Sequence, residues 1–243
     1  MTNRAVALAA IVVAVAALAG CESTEQESAK IAKRLGRQSA GVTVTHIGAA
    51  NPDVRVDKRQ LVQSNSGTAA ALELTNKSAR AQVDIPILIT VDNRAGKVVY
   101  SNDTAGASNP SGELALLGPH ATVWWVDPNV LANGAGAASI TAKIGAPSAS
   151  APASAAAFTA SHLHTGSSYI GPFVGGKVLN RSPTTQTEVT IYAVELAGGR
   201  VVAAGQSLIA SLAAHAWASF QVSLIGNAKG AKPAATVAPA HIG

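Results

Sequence analysis

Apolar residues recur at every second position over Val83, Ile85, Ile87, Ile89 and Val91, with Asp84, Pro86, Thr90 and Asp92 among the residues between them. A period of two predicts a strand with one face in a core. Asn93-Arg94-Ala95-Gly96 then predicts a hairpin turn, and residues 97–100 the returning strand. Pro86 lacks a backbone donor, which predicts an edge strand or a bulge there. Further strands are expected around residues 69–75, 121–126 and 139–144. No stretch of the globular region sustains a 3.6-residue period beside these strands, so an α/β arrangement is not expected.

The N-terminus follows another pattern. Residues 1–4 are short and polar with one positive side chain, Arg4, and residues 5–19 are all Ala, Val, Ile or Leu. That run of 15 residues suits the apolar region of a signal peptide and is shorter than the roughly 20 residues a spanning helix needs. It ends in Leu18-Ala19-Gly20-Cys21, which resembles a lipobox. A thiol there can take a diacylglyceryl group, and the small residues before it admit a peptidase. Cys21 is also the only cysteine of the chain. Cleavage before it and acylation on it are therefore expected, with the acyl chains holding the protein on the extracytoplasmic face of a cell membrane.

Composition narrows the rest. Without residues 1–20 the chain keeps 17 Lys and Arg against 13 acids, a net charge of about +4. This excess suits an anionic membrane surface or wall polymer. Nucleic acid is excluded as a partner by export and by the lack of a basic, aromatic-rich stripe. Aromatics are scarce, so the core must be aliphatic, and acylation of the one cysteine leaves no disulfide to help.

Residues 1–20 are thus expected to be a signal peptide and 21–41 the lipidated cysteine with a charged tether. Residues 42–144 and 158–238 are expected to be two β-sandwich domains, and 239–243 a tail. Between the domains, residues 145–157 (GAPSASAPASAAA) contain no charge and no large apolar group, and read as a linker.

The two domains resemble each other. Asn76-Lys77-Ser78 matches Asn180-Arg181-Ser182, and residues 87–99 (ILITVDNRAGKVV) align without gaps on 190–202 (TIYAVELAGGRVV). Residues 117–125 align on 212–220, which pairs His120 with His215. The matched spacings are 104, 103 and 95 residues, as copies with loops of unequal length would give. The ordered motifs are Asn-x-Ser, an alternating strand ending in an acid, Gly-Lys/Arg-Val-Val, then Leu and an aromatic. Through them each half resembles the FxLYD-type, immunoglobulin-like β-sandwich of bacterial exported proteins. At the positions of that family's Leu-Tyr-Asp the chain reads Thr90-Val91-Asp92 and Ala193-Val194-Glu195. The resemblance implies an all-β fold of two tandem sandwiches and no particular activity.

Candidate chemistry is sparse. His162 and His164 lie two apart in an expected strand, where both imidazoles could face one metal ion, with His46 or His241 as a third ligand. Adjacent Trp124 and Trp125 should point to opposite faces of a strand, one into a core and the other toward the second domain or a partner. His120 and His215 read as turn residues. The acids Asp84, Asp92, Asp103, Glu113, Asp127, Glu188 and Glu195 read as turn or polar-face residues. No Gly-x-Ser-x-Gly, Ser-x-x-Lys or His-Glu-x-x-His motif occurs. The expected function is non-catalytic: a binding, scaffold or complex-accessory module without a cofactor, facing a protein or envelope partner. The alternative is a small-ligand or metal-binding protein using the His162/His164 region.

Overall fold

Val, Ile, Thr and Ala at alternating positions favour the pleated, half-buried surface of a sheet. In the computed structural model every described element is a strand. The structure describes residues 47–103, 112–130, 136–147, 149–150 and 157–239. These residues belong to one compact unit that begins at Thr43. The residues expected to form a signal peptide and tether, Cys21 included, lie outside the described residues, as do His46 and His241.

The first half holds β1 (Val54–Ser64), β2 (Gly67–Asn76), β3 (Gln82–Asp92), β4 (Val98–Ser101), β5 (Glu113–Leu117), β6 (Thr122–Asp127), β7 (Ser139–Ile144) and the short β8 (Ala149–Ser150). The second half holds β9 (Phe158–Ser168), β10 (Gly171–Asn180), β11 (Gln186–Ala197), β12 (Arg200–Leu212), β13 (Trp217–Ser223), β14 (Ile225–Gly226) and β15 (Lys232–Ala238). All ladders are antiparallel. One sheet orders β1-β2-β6 and another β9-β10-β13. In the remaining two, β3 is flanked by β4, β5, β7 and β8, and β11 by β12 and β15, with β14 beyond β12. Each half is thus a β-sandwich.

The halves repeat each other's pairing, with β12 standing in place of β4 and β5 and with no counterpart for β8 or β14. Leu72 pairs with Trp125 as Gly176 pairs with Phe220, and Gln82 pairs with Leu117 as Gln186 pairs with Leu212. The Asn-x-Ser motifs explain themselves. Asn76 Nδ2 donates to the carbonyls of Arg80, Leu117 and Gly118, and Asn180 Nδ2 to those of Thr184, Leu212 and Ala213. Each Asn Oδ1 accepts from the backbone N–H and hydroxyl of its Ser78 or Ser182. A fully buried carboxamide thereby ties a loop to the end of a distant strand in each copy.

The hairpin matches as expected at Gly96 and Gly199, both at positive φ (74° and 78°). The strand before it does not follow the gapless alignment. Val91 is the last residue before a register shift in the first half, and Glu195 in the second. The strands are therefore offset by 104 residues, not 103, which makes Glu195 the counterpart of Val91. The turn accounts for the difference. Asn93 to Lys97 encloses three residues, whereas Ala197 to Arg200 encloses only Gly198 and Gly199.

Pro86 sits in a central strand, contrary to the edge expectation. Its carbonyl accepts from Gly145 N–H, so its missing N–H would point to the same side. On that side β8 pairs with residues 82–83 and β7 with 87–92, and Gly145 lies opposite the proline between them. The bond from residue 86 to the Gly145 carbonyl is the one ladder bond the ring removes. The pairing of Ala149 and Ser150 with β3 also ties down the start of the Ala/Pro/Ser segment.

Two cores result. One fills the second sandwich with Val189, Ile191, Ala193, Val174, Val178 and Phe220 among others. The other fills the first sandwich and continues through the outer face of β1-β2-β6 onto Tyr192, Val194, Val201, Ala204 and Ala238 of the second half. Ala69 and Ala71, both fully buried, share that face with Val62, and small side chains let two sheets approach. Gln60 Oε1 accepts from Val201 N–H, and Thr236 Oγ1 accepts from Trp124 N–H across the same seam.

Candidate functional site

Trp124 and Trp125 do point to opposite faces. Trp125 is fully buried beside Leu72 in the first core, while Trp124 lies beside Glu73 in the seam. Lys58 pairs with Glu73 at 3.0 Å and lies 5.5 Å over the Trp124 ring. The surface that Trp124 would offer a partner is occupied by the chain's own second half.

His162 and His164 lie on β9, whose ladder with β10 shifts register between Gly175 and Lys177. His162 takes a left-handed backbone (φ 54°) at this bulge, which breaks the alternation that would have aligned the two rings. His164 Nδ1 is 3.1 Å from the His162 carbonyl oxygen, and its ring meets Phe173 edge-on at 6.2 Å. His162 Nδ1 lies 3.1 Å from Ser161 Oγ. Among the described residues no group of three His, Cys, Asp or Glu side chains comes together.

His120 and His215 occupy matching turns at φ 53° and 56°, a region where His is one of the few tolerated non-glycine residues. Ala121 N–H donates to Gly118 and Ala216 N–H to Ala213, closing the two turns. Both histidines are exposed and structural.

Two acids that read as polar-face residues are fully buried. Asp127 Oδ2 accepts from the Tyr100 hydroxyl at 2.6 Å, and its Oδ1 accepts from Asn129 N–H. Its charge also reaches the seam: burial, then the Glu113 and Asp127 carboxylates, hold the Tyr192 hydroxyl protonated well above the usual phenol range. Glu195 lies in the second core and accepts from Thr165 Oγ1, and its Oε2 has no hydrogen-bond partner among the described residues. Burial raises its pKa and the Thr165 bond opposes the rise. Nothing in the local sequence marked either acid, because ladder register and not residue type decides the face.

A concavity lies where the halves meet. An open groove of about 480 Å³ is lined by Arg59, Gln60 and Gln63 of β1, Ser139 and Ile140 of β7, and Arg200 of the second half. It was not anticipated, since Arg59 and Arg200 are 141 positions apart.

No known family profile matches the chain, and no curated protein is similar to it.

Proposed function

We propose that the protein is a lipoprotein anchored through acyl chains on Cys21 at the extracytoplasmic face of a cell membrane. There it serves as a non-catalytic binding, scaffold or complex-accessory module. The observation that carries this reading is the single cysteine directly after a 15-residue apolar run and the small pair Ala19-Gly20. Acyl chains supply an anchor because each buried CH₂ contributes about 0.8 kcal/mol. The body suits a scaffold: the core of its first sandwich continues onto the second, so a partner meets a rigid surface and little ordering cost on binding.

Two experiments test the two parts. Cys21→Ser should abolish incorporation of labelled fatty acid and leave an uncut precursor or a released protein. Unchanged labelling and membrane retention in that variant would refute the anchor. Crosslinking in native membranes, followed by mass spectrometry of the adducts, should recover a protein or envelope component. Consistent recovery of turnover products instead of an attached partner would favour an enzyme.

A further inference from the structure

Four cationic side chains illustrate two different fates. On β1, Arg55 pairs with Asp57, and Lys58 pairs with Glu73. Arg59 on the same strand and Arg200 at the start of β12 have no hydrogen-bond or ion-pair partner among the described residues. Yet these two line the same groove, and among the described residues no acid lines it with them. Like charges brought together without a counter-charge repel, so the arrangement calls for an anion between them.

The walls are fixed. The tight Gly198-Gly199 turn sets Arg200 at the mouth of its hairpin. The neighbouring Val201 N–H is held by Gln60 Oε1 at 2.9 Å, and Gln63 Nε2 donates to the Ala137 carbonyl at 2.9 Å. With its Oε1 accepting from Val201, Gln60 keeps its Nε2 donors available, and the Ser139 hydroxyl of the same lining adds another donor. Two guanidinium forks, a carboxamide and a hydroxyl offer more donors and charge than one carboxylate can use. A phosphate, with three or four acceptor oxygens, matches them better.

We infer that the Arg59/Arg200 groove is a binding site for a phosphate group, supplied by a free phosphate or by a phospholipid headgroup. Because the two arginines come from different halves, the site exists only in the packed tandem and binding would stabilise the seam. The inference goes beyond the anchoring proposal and does not depend on it.

Isothermal titration of the full chain, carrying Cys21→Ser in every variant, uses two probes. These are inorganic phosphate and dihexanoyl phosphatidylglycerol held below its micelle concentration, both at low ionic strength. Saturable binding should weaken about tenfold in Arg59→Gln and in Arg200→Gln, and disappear in the double variant. The thermal midpoint should not move, since both side chains are exposed. Arg94→Gln removes an exposed arginine from the β3–β4 turn and should change affinity less than twofold. Tighter binding of inorganic phosphate identifies a free source, and tighter binding of the lipid identifies a headgroup. No saturable binding of either probe, or equal weakening by Arg94→Gln, overturns the proposal.

Discussion

Thr165 donates a hydrogen bond to Glu195, and the two residues stand where Leu61 and Val91 stand in the first half. The ladders define this equivalence: Leu61 pairs with Ala70 as Thr165 pairs with Val174, and Val91 and Glu195 each precede a register shift. An apolar position at the sandwich margin has thus become a polar pair in the second copy. Thr165 is at the surface, but Glu195 is fully buried with one oxygen unsatisfied among the described residues.

That pair sets a pH dependence. The folded-state pKa of Glu195 is raised above its unfolded value, so the folded state keeps the proton longer than the unfolded chain does. Its contribution is therefore most favourable below the unfolded pKa of 4.5 and is lost as pH rises toward the folded pKa. Denaturation midpoints of Glu195→Gln should show less decline with rising pH over this window than the parent. Glu195→Val, which restores the side chain of the first copy, should stabilise the protein by about 1–2 kcal/mol at pH 7. A destabilised valine variant would mean that the carboxylate has partners this geometry does not show.

The Asn-x-Ser loops give a second expectation. Asn76→Ala leaves the carbonyls of Arg80, Leu117 and Gly118 without that donor and frees the Ser78 N–H. A cost of about 3 kcal/mol in chemical denaturation is expected, and Asn180→Ala should cost a similar amount for the same reason. Asn→Asp at either site should not rescue, since a carboxylate donates none of the lost bonds.

A third concerns Gly205. A Cβ there would lie 2.1 Å from the Ser223 carbonyl oxygen, a backbone atom of β13 that cannot rotate away. Gly205→Ala should destabilise by about 3 kcal/mol or more. Gly198→Ala, at a positive φ but with open space around it, should cost only about 1 kcal/mol. Reversal of that order in measured midpoints would show that β12 and β13 can slide apart locally.

These residues also show what could be read from the chain. The β3 alternation was legible because one of its faces is buried throughout, and the hairpin because glycine sits where φ must be positive. The tandem sandwich followed from motifs that encode turns. Three features did not follow. The Asp127 and Glu195 positions depend on register, and a turn one residue shorter moves every side chain of the preceding strand to the other face of a gapless alignment. The bulge at His162 has no marker of its own and undoes the pairing of the two histidines. The Arg59/Arg200 groove depends on how two domains pack, which no local pattern records.

The seam supplies the last prediction. Trp124 N–H donates to Thr236 Oγ1 at 2.8 Å, and with it a strand of the first half is capped by a side chain of the second. Thr236→Val preserves volume but removes the acceptor, leaving a buried backbone donor unpaired at a cost of about 1–2 kcal/mol. Because the first core continues onto residues of the second half, that cost should fall on both together. Tryptophan reports on each separately: Trp124 and Trp125 lie in the first half, and Trp217, which is 54 % exposed, in the second. Fluorescence of Trp217→Phe therefore follows the first half, and fluorescence of the Trp124→Phe/Trp125→Phe double variant follows the second. Each should unfold in a single transition, with Thr236→Val lowering both stabilities by the same increment. A shift confined to one reporter would show that the sandwiches unfold independently and that the seam adds little to either.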